Sequence, residues 1–239
     1  MSATPTPSAA PAPQPAASLK DGILGLLNVY IDPAATARYV QLKWSWIYPF
    51  VVVSIISIVV QLQMNPFRSQ LRMNVPNAPP PQPITPMSQV ISACTSVLFL
   101  AGMVAFVALL VFAFGAIVDA RVRFMHVFSL LLTIGMITAL QQIATLIIVK
   151  VHAEDIHTLR DLTQQPLGLD LFIHAQGVLA SVLAFFSIFQ VWAIVMTVLS
   201  YSLLGKTSKI KAFFVTCPGW ILGLLFYIGI GFMSDKFFQ

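Results

Sequence analysis

Charge is the scarcest commodity in this sequence. Only 9% of its 239 residues are Asp, Glu, Lys or Arg, while 58% are apolar. A soluble domain carries roughly 25% charged residues, so this chain cannot cover itself with a polar surface in water. A bilayer removes that need, and the mean hydropathy of +0.86 agrees. Cysteine is nearly absent too. Cys94 and Cys217 lie far apart within apolar runs, which excludes a disulfide framework and a zinc site built on paired cysteines. Both read as small buried apolar residues.

A cleavable signal peptide is missing. After Met1, residues 1–17 are Ala, Pro, Ser, Thr and Gln, with no basic stretch and no apolar core. Such a segment has almost nothing to bury and is expected to be a disordered tail. The first membrane helix then acts as the insertion signal. Enzyme signatures are missing as well: no GxSxG, P-loop, dinucleotide fingerprint or HExxH. The reading is a non-enzyme without a cofactor or metal. His152, Glu154, Asp155 and His157 superficially suggest metal ligands, but their spacing matches no zinc signature, and a solvated polar loop is the preferred reading. No ionisable residue falls at mid-span, where proton- and ion-coupled transporters keep one. Asp119 stands at a helix end, where Arg121 or Arg123 can pair with it.

The net charge is +5, from 13 Lys and Arg against 8 Asp and Glu. The basic residues are scattered between apolar runs. That pattern orients a protein in a membrane and attracts anionic headgroups, and nucleic acid is not an expected partner.

What is present is a succession of apolar runs. Ser18 and Asp21 form a capping-box pair ahead of Ile23, Leu24, Leu27 and Tyr30 at helical spacing. Asp32 and Pro33 suit the N-cap and first position of a second helix. Trp44, Trp46 and Tyr48 mark a water–lipid boundary. Residues 18–45 are therefore expected to be interfacial amphipathic helices. Five spans are expected at 46–62, 89–118, 124–149, 171–204 and 212–232, giving an all-α, five-helix bundle over residues 46–233. Between the first two, the proline-rich stretch 63–87 reads as an extended loop.

One face of such a bundle holds Lys20, Arg38, Lys43, Arg121, Arg123, Lys206, Lys209 and Lys211; the other holds Arg68, Arg72, Lys150, Arg160 and Lys236. The positive-inside rule then predicts a cytoplasmic N-terminus and an external C-terminus, in the inner membrane if the chain is bacterial.

Within the spans, Gln141, Gln190 and Trp192 are candidate interhelical polar contacts, since an amide in hydrocarbon needs a partner. Gly219 and Gly223 have GxxxG spacing, which suits internal helix packing or a homo- or hetero-oligomer. Lys206, Lys209 and Lys211 form a short basic turn suited to lipid headgroups.

The layout resembles the Yip1 domain family. The resemblance is carried by Asp32, Pro33, Thr36, Arg38, Lys43 and Trp44 at the entry, and by residues 186–226 with Trp192, Lys209, Lys211 and Pro218. The DLYGP-type motif of eukaryotic members is absent, the Gly-Tyr element of the third span is replaced around Gly135, Met136 and Ile137, and Asp119–Arg123 replaces a glycine-rich turn. The chain looks more like divergent bacterial members. The resemblance implies a membrane-organising or trafficking scaffold acting through helix and lipid contacts. The alternative is a small transport component, a channel or permease subunit.

Overall fold

The computed structural model describes residues 15–16, 18–73, 85–120, 122–153, 166–173 and 177–237. The expected disordered tail (all but residues 15 and 16), the prolines of 74–84, Arg121 and the charged loop residues 154–165 lie outside them. The described residues contain eight α-helices and no strand. They are α1 (Leu19–Asn28), α2 (Pro33–Tyr39), α3 (Ile47–Met73), α4 (Pro86–Ile117), α5 (Phe124–Val151), α6 (Gly177–Phe185), α7 (Ile188–Leu204) and α8 (Lys209–Phe237).

Four of these, α3, α4, α5 and α8, contain stretches long and apolar enough to cross a membrane: Ile47–Phe67, Pro86–Ile117, Phe124–Val151 and Lys209–Gly229. The protein is an integral membrane protein by the length and composition of these helices. Its outer surface agrees, with Leu98 73%, Ile117 77% and Phe214 62% exposed. Water would penalise so much open apolar area, and lipid does not.

α5 is the central helix. Val127, Leu130, Ile134 and Ile137 are nearly inaccessible and share one core with Val53 of α3, Val111 of α4, Met196 and Tyr201 of α7, and Val215 of α8. α3 runs parallel to α5. Their register is set by three contacts in ascending order: Ser45 to Ser129 at 2.7 Å, Ser57 to Gln142 at 3.1 Å and Lys150 to Gln63 at 2.7 Å.

Two expected boundaries change. Residues 63–73, read as the start of a loop, continue α3 through Pro66. A proline inside a helix removes one backbone hydrogen bond, and neighbouring side chains offset that loss. Gln61 donates to Ser92 at 2.6 Å and accepts from Ser96 at 2.7 Å, and Gln63 accepts from Lys150. Below them Met64 packs against Val149 in a small second core.

The other change is in the run 171–204, expected as one span. It contains two helices, α6 and α7, interrupted at Phe186 and Ser187. α7 alone has 17 residues, about 25 Å at about 1.5 Å per residue and short of a hydrocarbon core of about 30 Å.

The N-terminal hairpin is built into the bundle. Val29, Thr36, Ala37, Tyr39 and Val40 are buried, and Val29, Tyr39 and Val40 belong to the main core. α2 packs chiefly along α7. The expected caps are formed: Ser18 and Asp21 make a reciprocal capping box, and Asp32 Oδ1 accepts from the N–H groups of Ala34 and Ala35, both at 2.9 Å.

Candidate functional site: a polar junction at a broken helix

The interruption between α6 and α7 is made by tertiary contacts. Ser187 adopts an extended conformation and caps α7, its Oγ accepting from the Gln190 N–H at 3.2 Å. The backbone of Ile188 donates to Leu167 O at 3.2 Å, and Gly168 bridges Ser187. An incoming loop thus takes up backbone groups that a continuous helix would have paired internally. Ser187 is fully buried. Gln141, 7% exposed, donates from Nε2 to the same Oγ at 3.3 Å. Gln141 lies seventeen residues beyond Phe124, about 25 Å along α5, so the junction sits well inside the bundle.

A second polar contact lies at the tip of the N-terminal hairpin. Trp192 Nε1 donates to the Tyr30 carbonyl at 3.1 Å, with the two rings 5.6 Å apart. The Tyr30 hydroxyl in turn donates to the Met136 carbonyl at 3.1 Å. Tyr30 therefore ties the hairpin to both α5 and α7.

Of the three residues expected to make interhelical contacts, Gln141 and Trp192 do so through their side chains. Gln190 is half-buried and joins the junction through its backbone N–H. The pairings of Tyr30 with Trp192 and of Ser45 with Ser129 have no counterpart among the contacts expected from the sequence. Tyr30 carried a signal, an aromatic with a polar tip at the end of an apolar helix, but nothing local pointed to its partners.

Gly219 and Gly223 face inward to different helices. A Cβ on Gly219 would meet Val107 of α4 at 2.7 Å, and one on Gly223 would meet the Phe185 ring of α6 at 3.5 Å. Lys206, Lys209 and Lys211 are exposed around the start of α8, and Lys206 adopts a positive φ of 48°. His152 Nδ1 lies 3.2 Å from the Ile148 carbonyl, while Glu154, Asp155 and His157 are outside the described residues. Among the described residues, no three His, Cys, Asp or Glu side chains converge as metal ligands would.

A cleft of about 460 Å³ runs between α4 and α8. It is lined by Leu110, Phe114, Phe214, Cys217, Pro218 and Ile221, with Leu222 and Leu225 beyond. Cys217, a free thiol, is the single residue of that lining with a nucleophilic side chain, and no base or cation stands beside it there to activate it. Neither polar contact opens into it, since Gln141, Ser187, Tyr30 and Trp192 lie on other elements.

No protein-family model, curated protein or solved structure matches this chain.

Proposed function

We propose that this chain is a non-enzymatic multi-pass membrane protein of Yip1 type, a membrane-organising or trafficking scaffold acting through helix and lipid contacts. The observation that carries this reading is the pairing of the polar side chains at the broken helix and at the hairpin tip. Gln141 and Ser187 are buried against each other, and Trp192 and Tyr30 are hydrogen-bonded across elements. Groups spent on joining helices are not free to bind a passing solute. In this reading α6 and α7 together make a fifth crossing beside the four long spans. The excess of Lys and Arg on one face puts the N-terminus in the cytoplasm and the C-terminus outside, and Lys206, Lys209 and Lys211 meet anionic headgroups.

One observation favours the second reading, a small channel or permease subunit. Discontinuous helices deep in a bundle are where many transporters bind their cargo, and α6 and α7 are interrupted inside this one, with the segment at Leu167 and Gly168 taking up the backbone there.

Two measurements on the full chain separate the readings. Purified protein reconstituted into phospholipid vesicles is expected to leave ion and small-solute permeability at the level of protein-free vesicles. Affinity purification in mild detergent is expected to recover no stoichiometric ATPase subunit. Solute flux above background, or such a subunit, would replace the scaffold reading with the transport one.

A further inference from the structure

The N-terminal hairpin presents a surface that no part of the described protein covers. α1 turns its glycines inward, so closely that a Cβ on Gly22 or Gly25 would meet the Tyr48 or Tyr39 ring at 2.6 Å. Its outward side is apolar and open, with Leu19 66%, Ile23 52%, Leu27 59% and Ile31 82% exposed.

Hydrogen bonds fix the depth of this surface against α5. At the feet of the hairpin, Ser45 bonds Ser129. At its tip, Tyr30 bonds Met136. Met136 is seven residues further along α5, about 10 Å at about 1.5 Å per residue. Half of a hydrocarbon core is about 15 Å. The hairpin is too short to cross a bilayer and too steeply set to lie flat on one.

The chemistry of the feet and the tip is opposite. Beside the feet stand Trp44 and Trp46, with ring centroids 6.4 Å apart, and the Lys43 ammonium is 5.7 Å from the centre of the Trp44 ring. Lys20 and Arg38 are exposed nearby in sequence, with Asp21 as the neighbouring acid. The tip exposes Ile31. Its one acid, Asp32, has Oδ1 occupied by two backbone N–H groups, the kind of satisfaction an ionisable group needs at depth.

We infer that the α1–α2 hairpin is a single-leaflet insert that docks on anionic phospholipid. The acyl chains cover Leu19, Ile23, Leu27 and Ile31, and the headgroups meet Lys20, Arg38 and Lys43. This rests on the membrane-embedded reading above and supplies the lipid contact through which that reading works.

The test uses the full chain with Cys94→Ala and Cys217→Ala, reconstituted in vesicles of equal parts phosphatidylcholine and phosphatidylglycerol. Single spin labels at Leu19→Cys and Ile31→Cys are compared by power saturation with oxygen and with a water-soluble nickel chelate. The Ile31 label is expected to be deeper by about 10 Å and shielded from nickel. Equal headgroup depth for both labels, or ready access of nickel to the Ile31 label, overturns the insertion. Retention of phosphatidylglycerol through purification is the second readout. Each of Lys20→Gln, Arg38→Gln and Lys43→Gln is expected to weaken it about fivefold, matching about 1 kcal/mol per cation near an anionic surface. Unchanged retention in the triple variant overturns the headgroup contact. Solute flux or a co-purifying ATPase would instead remove the scaffold reading and leave the measured depths standing.

Discussion

The indole of Trp192 and the carbonyl of Tyr30 lie 3.1 Å apart although 162 positions separate them in the chain. This bond closes the N-terminal hairpin against α7, and the Tyr30 hydroxyl completes the tie by donating to Met136. Replacing Trp192 by Phe keeps an aromatic ring against Tyr30 and deletes the donor together with part of the indole's packing. Interhelical hydrogen bonds in membrane proteins average about 0.6 kcal/mol and reach about 1.7, so Trp192→Phe is expected to cost about 1 kcal/mol. Tyr30→Phe is expected to cost less, because the Met136 carbonyl also lies within the helical ladder of α5. Unfolding in detergent, followed by fluorescence, measures both. A cost for Tyr30→Phe above that for Trp192→Phe would contradict this ranking.

Ser187 does two jobs with one oxygen. It caps α7 and accepts from Gln141. Ser187→Ala removes a cap, usually about 1 kcal/mol, and takes one acceptor away from the buried Gln141 amide. Gln141→Leu removes the donor and leaves the cap in place. Ser187→Ala is therefore expected to be the more damaging, at about 2 kcal/mol. The two effects should also be non-additive in a double-mutant cycle, because the residues are in contact. Strict additivity would show that the bond contributes nothing.

Much of the fold could be read from the sequence, and its failures share a cause. The apolar runs located α3, α4, α5 and α8, and the local grammar of Ser18, Asp21, Asp32 and Pro33 located the starts of α1 and α2. The break before α7 had only a weak local sign, the capping spacing of Ser187 and Gln190, with neither glycine nor proline at Phe186 and Ser187, and the interruption itself comes from the distant Leu167 and Gly168. Pro66 gave the opposite error, a strong local signal for termination overridden by side-chain bonds from Gln61 and Gln63 to α4 and α5. The depth of the hairpin is also non-local, since it is set by Met136 and Trp192. In the candidate site, residue type marked Gln141 and Trp192 as polar groups needing partners, but a single sequence cannot say which partners.

The capping box of α1 makes its first turn sensitive to acid. The Asp21 carboxylate accepts from the Ser18 hydroxyl at 2.6 Å and from the Ser18 backbone N–H at 3.0 Å. Those bonds, the hydroxyl first, hold its pKa below the ordinary carboxylate value. A carboxylate with a lowered folded-state pKa contributes stability above its unfolded pKa and loses it as pH falls through the folded value. The first turn is therefore expected to hold at neutral pH and to fray only in acid, below the usual carboxylate range. Amide exchange at Gly22, whose N–H donates to Ser18 O at 2.9 Å, reports this when wild type and Asp21→Asn are compared. The protection difference should vanish in acid, and a difference that persists there would assign the effect to something other than ionisation.

Gly115 of α4 sits directly beneath the Tyr201 hydroxyl of α7, and any Cβ added there would collide with that oxygen. Tyr201 is fully buried, and its hydroxyl has no hydrogen-bond partner among the described residues. The two facts give opposite signs to two substitutions. Gly115→Ala overpacks the contact between α4 and α7, which typically costs about 1–3 kcal/mol. Tyr201→Phe deletes an unsatisfied buried group along with the colliding atom, and removing such a group is neutral or stabilising. Combining them should recover most of the Gly115→Ala loss, because the added methyl then occupies the space the hydroxyl vacated. Unfolding midpoints of both single variants and the double variant decide the matter. If Tyr201→Phe is itself destabilising by more than about 1 kcal/mol, the hydroxyl has a partner, and the seating of Tyr201 against Gly115 depends on a bond to it.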